Sequence, residues 1–125
     1  MNAITEPTKF AIPELKEGEI YAGAIIAPDG TGNHVILLDG DNDGADWNAQ
    51  MEWAKSIGGD LPEKVEQALL YAHLKERFQE AWYWSNTQHA SGSIYAWGQD
   101  FNDGFQYDFS KSYEGRARAV RRVSI

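Results

Sequence analysis

Apolar residues near the start of the chain form two short runs separated by turn-forming residues. Residues 20–27 and 34–38 are rich in Ile, Val and Leu, and residues 28–33 read Pro-Asp-Gly-Thr-Gly-Asn. Short β-branched runs on either side of a Gly-rich turn predict a β-hairpin.

The residues that precede this hairpin lack periodicity. We expect residues 1–19 to form an N-terminal arm and residues 20–125 to form one domain, since 125 residues is the length of a single domain. The arm packs at most through Phe10, Ile12 and Leu15. Its start has no signal-peptide pattern and no apolar run is long enough to span a bilayer, so we expect a cytoplasmic or virion protein without membrane contact.

Helical spacing replaces the short runs in the middle of the chain. Asp46 is a good N-cap for a helix whose apolar positions include Trp47, Met51 and Ala54, and Gly58-Gly59 ends it. A second helix is expected from about Pro62 to about residue 77 or 78, with an apolar stripe of Val65, Ala68, Leu69 and Ala72.

The C-terminal third is aromatic and has frequent turns. Residues 82–85, 94–97 and 118–121 are the expected strands, and Asn-Asp-Gly at 102–104 predicts a tight turn between aromatic flanks. Strands and helices that do not alternate favour an α+β fold over a parallel doubly wound sheet.

Several motifs occur in an order that resembles a known family. They are Trp47 with Trp53-Ala54, Gly58-Gly59-Asp60-Leu61-Pro62, Gln67-Ala68-Leu69-Leu70, Tyr83-Trp84-Ser85, Ala96-Trp97 with Phe101 and Gly104, and Val120-Arg121. Over about residues 20–123 the chain is similar to the DUF1566 family. The resemblance implies a C-type-lectin-like α+β fold with an N-terminal β-hairpin, two helices and then short antiparallel strands. It also implies a small protein of bacteriophage or prophage type, because stand-alone members of this kind are common there.

The chain lacks two features that would give this fold a known chemistry. It has no Cys, which removes disulfides, thiol catalysis and the active site of formylglycine-generating enzymes. It also lacks the Glu-Pro-Asn motif of calcium-dependent sugar binding. No His-x-x-x-His spacing and no nucleophile elbow is present, so we expect no enzyme and no catalytic residues.

The charge of the chain is unevenly distributed along the sequence. The net charge is -8, and residues 1–54 alone carry 10 acidic and 2 basic residues. Direct nucleic-acid binding is not expected, because phosphates would be repelled. The acidic half can instead imitate phosphates and block a basic groove on another protein. Its candidate acidic surface consists of Asp29, Asp39, Asp41 and Asp43.

One acidic segment also resembles a cation-binding loop. Residues 39–44 match the first six positions of an EF-hand loop, with Asp39, Asp41 and Asp43 as candidate calcium ligands. The twelfth position is Gln50 instead of a bidentate Glu. We therefore favour a solvated acidic loop that ends in a helix N-cap as the interpretation of residues 39–46. We expect no cofactor, with calcium as the alternative.

Aromatic residues in the second half are too numerous to be buried together. Ten lie between Trp82 and Tyr113, mixed with Asn, Gln and Ser, which is the composition of a protein-binding paratope. The candidate protein-binding residues are Trp82, Tyr95, Gln99, Asn102, Phe105, Tyr107 and Tyr113.

Four arginines lie within residues 116–122. They suit either an anion-binding strip or a closing strand whose arginines pair with acidic residues and stack on aromatics, and we favour the strand. Strand alternation would place Arg116, Arg118 and Arg122 on one face and Arg121 on the other, where Arg121 is expected to be a buried structural residue.

These observations lead to a functional hypothesis with two alternatives. We expect a non-enzymatic phage or prophage protein that binds another protein, with inhibition of a host defence or nucleic-acid-binding complex through the acidic surface as one form of this activity. The alternatives are a virion tail-associated receptor-binding module, which would form homo-oligomers, and a calcium-dependent ligand-binding domain.

Overall fold

The computed structural model describes residues 11–90 and 92–125. Within them it contains two α-helices and eight strands in two sheets, which confirms the α+β class. The elements are β1 (Ile20–Ile26), β2 (Gly32–Leu37), β3 (Asn42–Ala45), α1 (Trp47–Ser56), α2 (Lys64–Leu74), β4 (Trp82–His89), β5 (Gly92–Asp100), β6 (Gln106–Ser110), β7 (Gly115–Ala117) and β8 (Val120–Ser124), with a 3-10 turn at Lys75–Arg77.

The first sheet has the order β1-β2-β8 and brings the two ends of the domain together. The predicted hairpin is confirmed, since β1 and β2 pair antiparallel from Ile20↔Leu37 to Ile26↔Gly32. Strand β8 pairs antiparallel with the other side of β2, and Leu37 lies opposite Val120. Both of these side chains are fully buried.

The second sheet has the order β3-β7-β4-β5-β6, so β3 and β6 are its edges. Its strands pair antiparallel except for β4 and β7, which run parallel at Tyr83↔Arg116. The predicted tight turn at 102–104 connects β5 to β6, with Gly104 at φ +83°.

The interpretation of residues 39–46 as an acidic loop is wrong for its second half. Residues 42–45 form β3 and pair with β7, with Asn42 opposite Ala117 and Ala45 opposite Gly115. No local pattern predicts a strand here, because the pairing depends on a partner more than 60 residues later in the chain.

Helix boundaries follow local capping chemistry. The predicted N-cap of α1 is confirmed, because Asp46 Oδ1 accepts a hydrogen bond from Ala49 N at 2.9 Å. The helix ends at Ser56, and Gly58 adopts φ +88° just beyond it. Helix α2 begins at Lys64, later than expected, because Glu63 and Glu66 form a capping box there.

The two helices contribute to separate parts of the core. One buried cluster joins α1 to the second sheet and includes Trp47, Leu61, Trp84 and Ala96. The other joins α2 to both sheets and is formed by Ala22, Val35, Leu37, Leu70, Tyr83, Phe101 and Val120. Trp84 and Phe101 are buried, and Trp97 is partly buried.

The arginine-rich end is divided between two sheets. Strand β7 ends at Ala117 and β8 begins at Val120, so a single alternation does not run through residues 116–122. As a result, Arg118 is the buried arginine and Arg121 is not, contrary to the expectation from the sequence. Arg118 donates to the carbonyls of Arg77 and Leu38, both at 2.7 Å.

The part of the arm that the structure describes makes few apolar contacts. Ile12 and Leu15 are exposed, and Phe10 lies outside the described residues. Arg121 holds the segment by donating to Glu14 O at 3.1 Å and to the carboxylate of Glu19. No helix in the described part of the chain is long and apolar enough to cross a membrane.

Candidate protein-binding surface

The most prominent exposed feature is a row of aromatic rings along the edge strand β6. We call the rings of Phe105, Tyr107, Phe109 and Tyr113 the aromatic strip. Successive ring centroids are 6.3, 6.2 and 6.5 Å apart, so the four rings form one continuous surface.

Strand alternation places the strip on one face of the second sheet. Tyr107 and Phe109 lie opposite Gly98 and Ala96 of β5, and these small residues leave room for the rings. A Cβ at Gly98 would lie 3.0 Å from both Phe109 and Trp82. Trp82 stacks on Phe109 with centroids 3.8 Å apart. The rings at the two ends of the strip are exposed, at 64% for Phe105 and 56% for Tyr113.

The carboxylate of Asp103 fixes one end of the strip, at Phe105 and Tyr107. Asp103 Oδ1 accepts a hydrogen bond from Phe105 N at 2.9 Å, and Asp103 Oδ2 accepts one from the Tyr107 hydroxyl at 2.7 Å. These two bonds lower the pKa of Asp103, and the same carboxylate raises the pKa of Tyr107. The turn therefore presents the rings in a defined arrangement before any partner binds.

The structure separates the predicted protein-binding residues into different environments. Phe105, Tyr107 and Tyr113 lie together in the strip. Tyr95 is exposed but lies on the opposite face of the sheet, because it pairs with Ser110 and not with a strip residue. Asn102 is exposed in the turn before the strip and donates to Glu80 O at 3.3 Å.

Of the remaining predicted residues, Gln99 is buried and Trp82 is partly buried. Gln99 is only 1% exposed, and its amide donates to the carbonyls of Asp100 and Phe105. Trp82 is half-buried, packed between Phe109 and the backbone of Gly115, where an added Cβ would lie 2.4 Å from the indole. Their composition predicted that both side chains are exposed. Packing against neighbouring strands instead buries Gln99 and partly buries Trp82.

Phe109 is the strip residue that the analysis of the sequence missed. It joins Tyr107 to Tyr113 and connects the strip to the core through Trp82. The period of two in Phe105, Tyr107 and Phe109 is visible in the sequence and would have predicted a shared face.

The acidic surface predicted from the sequence is not one patch. Asp29 lies in the turn between β1 and β2, where it accepts hydrogen bonds from the backbone and hydroxyl of Thr31. Asp39, Asp41 and Asp43 follow the opposite end of β2, which has 6 residues. A strand of that length separates the two sites by about 20 Å.

Arginines from the C-terminal half neutralise part of the acidic N-terminal half. Arg116 pairs with Asp41 at 2.9 Å and with Asp43 at 3.2 Å, and Arg121 pairs with Glu19 at 2.9 Å. The bond from Arg121 lowers the pKa of Glu19 to about 2. The arginine-pairing interpretation of residues 116–122 is confirmed by these contacts.

This pairing changes where negative charge remains. Residues 55–125 have equal numbers of acidic and basic residues, but Arg116 and Arg121 are engaged with the N-terminal half. Asp103, Asp108 and Glu114 lie close to the strip residues in the sequence, and Asp103 accepts a hydrogen bond from the Tyr107 hydroxyl. The nearby Lys111 places its ammonium 4.3 Å from the Trp47 ring and donates to Gln88.

Two of the three candidate calcium ligands, Asp41 and Asp43, form ion pairs with Arg116. Asp41 Oδ1 accepts from Arg116 Nη2 at 2.9 Å, and Asp41 Oδ2 accepts from the Tyr83 hydroxyl at 2.6 Å. Burial and this carboxylate raise the pKa of Tyr83 to about 12. Among residues 11–90 and 92–125, no three or more His, Asp or Glu side chains are grouped so as to hold a metal ion.

An open cleft of about 590 Å³ lies beside the start of α2, lined in part by Val65, Ala68, Asn86 and Gln106. The side chains whose pKa is shifted lie in ion pairs and turns outside this cleft. The cleft offers apolar contact and amide groups, together with the charged residues Glu63 and Lys64 in its lining.

Comparison of the chain with protein-family models and with curated proteins gives no match. The functional argument accordingly rests on the geometry of the surface.

Proposed function

We propose that this protein acts by binding another protein through the aromatic strip, without catalysis. The observation that carries the proposal is the continuous row of four rings, whose outer members are exposed although they are large and apolar. Clustered aromatic residues with a polar rim are typical of the energetically dominant part of a protein interface.

The rigidity of the strip supports the same conclusion. Asp103 fixes both the backbone at Phe105 and the hydroxyl of Tyr107, and Phe109 is stacked against Trp82. Rings that are already ordered lose little conformational entropy on binding, so more of the contact energy contributes to affinity.

The same protein is proposed to adopt a C-type-lectin-like fold of the DUF1566 kind. Support comes from the sheet in which β8 joins the N-terminal hairpin, and from the two helices that lie between the hairpin and the aromatic strands. In a phage or prophage setting the partner is a host protein, and a host defence or nucleic-acid-binding complex fits best, because the carboxylates of Asp103 and Asp108 at β6 favour a basic partner surface.

Affinity capture with matched variants tests this proposal. The tagged protein, the double variant Phe105→Ala/Tyr113→Ala and the control Ile26→Ala are incubated with host lysate at low and physiological salt. Ile26 is also exposed but lies on β1 of the first sheet, whereas the strip belongs to the second sheet. A basic or nucleic-acid-binding protein retained by the wild type and the control, but lost from the double variant, supports the proposal.

Equal retention by all three proteins contradicts the proposed surface. Recovery of the protein in purified virus particles, together with no basic host partner at either salt concentration, would favour a tail-associated module instead. Thermal melting of each variant shows whether it is folded.

A further inference from the structure

Strand β6 is an edge whose outer side has no neighbouring strand among the described residues. Asp100 N donates to Phe105 O at 2.9 Å, and Lys111 N donates to Ile94 O at 2.8 Å. In an antiparallel pair the residues that bond to the neighbour alternate with residues that do not. The backbone N–H groups of Gln106, Asp108 and Ser110 therefore point away from β5.

This open edge runs beside the aromatic strip. Tyr107 and Phe109 present their rings on one face of the sheet, and Asp108 projects from the opposite face of the same strand. A strand added to the edge would place every second side chain against the rings and the intervening ones beside Asp108. Such a strand would gain backbone hydrogen bonds and aromatic contact at the same time.

Charge selects among the strands that could be added. Asp108 is 46% exposed, with its carboxylate 3.7 Å from His89 Nε2. The Asp103 carboxylate accepts a hydrogen bond from Tyr107 of the strip. A second copy of the chain pairing antiparallel about Asp108 would place two carboxylates opposite one another, which is destabilising. A strand that carries Arg or Lys instead complements these carboxylates, and Arg can also stack on Tyr and Phe rings.

We propose that the partner supplies an extended, arginine- or lysine-containing segment that pairs with the outer edge of β6. The proposal rests on the proposed function, because the added strand uses the aromatic strip as its side-chain contact. It specifies a partner segment in which basic residues facing Asp108 alternate with apolar or arginine residues facing the rings.

Amide exchange measured by NMR on the ¹⁵N-labelled protein tests the edge directly. The probe is a nine-residue peptide of alternating Val and Arg with blocked termini. The controls are the same peptide with Glu in place of Arg and the same peptide with the backbone nitrogens of its three central residues N-methylated, which removes donors that face β6 in either strand direction. At ten times the dissociation constant, exchange at Gln106 and Asp108 is expected to slow about tenfold. Exchange at Tyr107 and Phe109, which already face β5, is expected to change little.

Protein variants separate the backbone contribution from the charge contribution. Asp108→Pro removes the outward N–H, whereas Asp108→Asn keeps it and removes only the charge. We expect the proline variant to lose protection at Gln106 and to bind the peptide at least about fivefold more weakly than the asparagine variant. Because the proline variant can unfold, the N-methylated peptide provides the same comparison on the intact protein, and it is expected not to protect the edge.

Four results would overturn the proposal. The Val-Arg peptide could bind without protecting Gln106 and Asp108, or the Glu peptide could bind as well as the Arg peptide. Protection that rises with protein concentration in the absence of peptide would show that a second copy occupies the edge. If the peptide fails to bind but the captured partner still depends on Phe105 and Tyr113, the strand inference is wrong and the proposed function stands.

Discussion

Arg122 provides the clearest test of how the C-terminal arginines hold the fold. Its guanidinium donates to Glu66 at 2.7 and 2.8 Å, to Asp60 at 3.0 Å and to the carbonyl of Leu61 at 3.3 Å. These bonds connect β8 of the first sheet to α2, and they raise the pKa of Arg122 above its ordinary value. The Glu66 side chain is only 4% exposed.

The substitution Arg122→Met leaves the Glu66 carboxylate buried without its charge partner. Removing one partner of a buried pair costs about 3–5 kcal/mol, and the partial exposure of Arg122 favours the lower end. With a urea m-value of about 1.5 kcal/mol/M, a loss of about 3 kcal/mol lowers the unfolding midpoint by about 2 M. Unfolding followed by tryptophan fluorescence measures this shift.

Arg121→Met is the matched control on the same strand. It also removes an ion pair, but Glu19 pairs with this one arginine and keeps its hydrogen bond from Lys16 N at 2.8 Å, so we expect a smaller loss of about 1–2 kcal/mol. In the double variant Arg122→Met/Glu66→Met no buried charge is stranded, and stability should recover to within about 2 kcal/mol of the wild type. An Arg122→Met loss no larger than that of Arg121→Met would refute the reasoning. A double variant that loses as much stability as the two single variants together would also refute it.

Three further predictions concern single contacts. The pKa of Glu19 is lowered to about 2 by Arg121, so the stability it contributes is present above pH 4.5 and is lost as pH falls towards 2. In Glu19→Gln the urea midpoint should fall less than in the wild type between pH 4.5 and pH 2. An equal fall in the two proteins would contradict a lowered pKa of Glu19. Gly115→Ala should cost about 1–3 kcal/mol, because its Cβ would lie 2.4 Å from the Trp82 ring; a thermal melt like that of the wild type would show that the sheet adapts. Asp46→Ala should cost about 1 kcal/mol through the lost cap, whereas Asp46→Asn should cost much less; equal losses would mean that the cap is not the cause.

Local signals in the sequence were sufficient for the elements whose cause is local. The hairpin of β1 and β2 follows from two apolar runs and a Gly-rich turn, and the start of α1 follows from Asp46. The turn before β6 follows from residues 102–104. In each case the residues that cause the structure lie within a few positions of it, so pattern and propensity are enough.

Elements that depend on distant partners were not accessible in this way. Strand β3 exists because β7 pairs with it, and no propensity of Asn42–Ala45 indicates a strand. The chain changes sheets between Ala117 and Val120, which reverses the expected roles of Arg118 and Arg121. Alternation holds only within one continuous strand, so an unseen break invalidates every face assigned beyond it.

The candidate site shows the same division between composition and placement. The sequence by itself determined that the second half carries more aromatic rings than a core can hold, and that acidic charge is concentrated in residues 1–54. Only the tertiary structure decided which side chains are exposed, because neighbouring strands bury Gln99, cover part of Trp82 and leave Phe105 and Tyr113 outside. It also decided where charge remains, since an ion pair depends on separation in space and not along the chain.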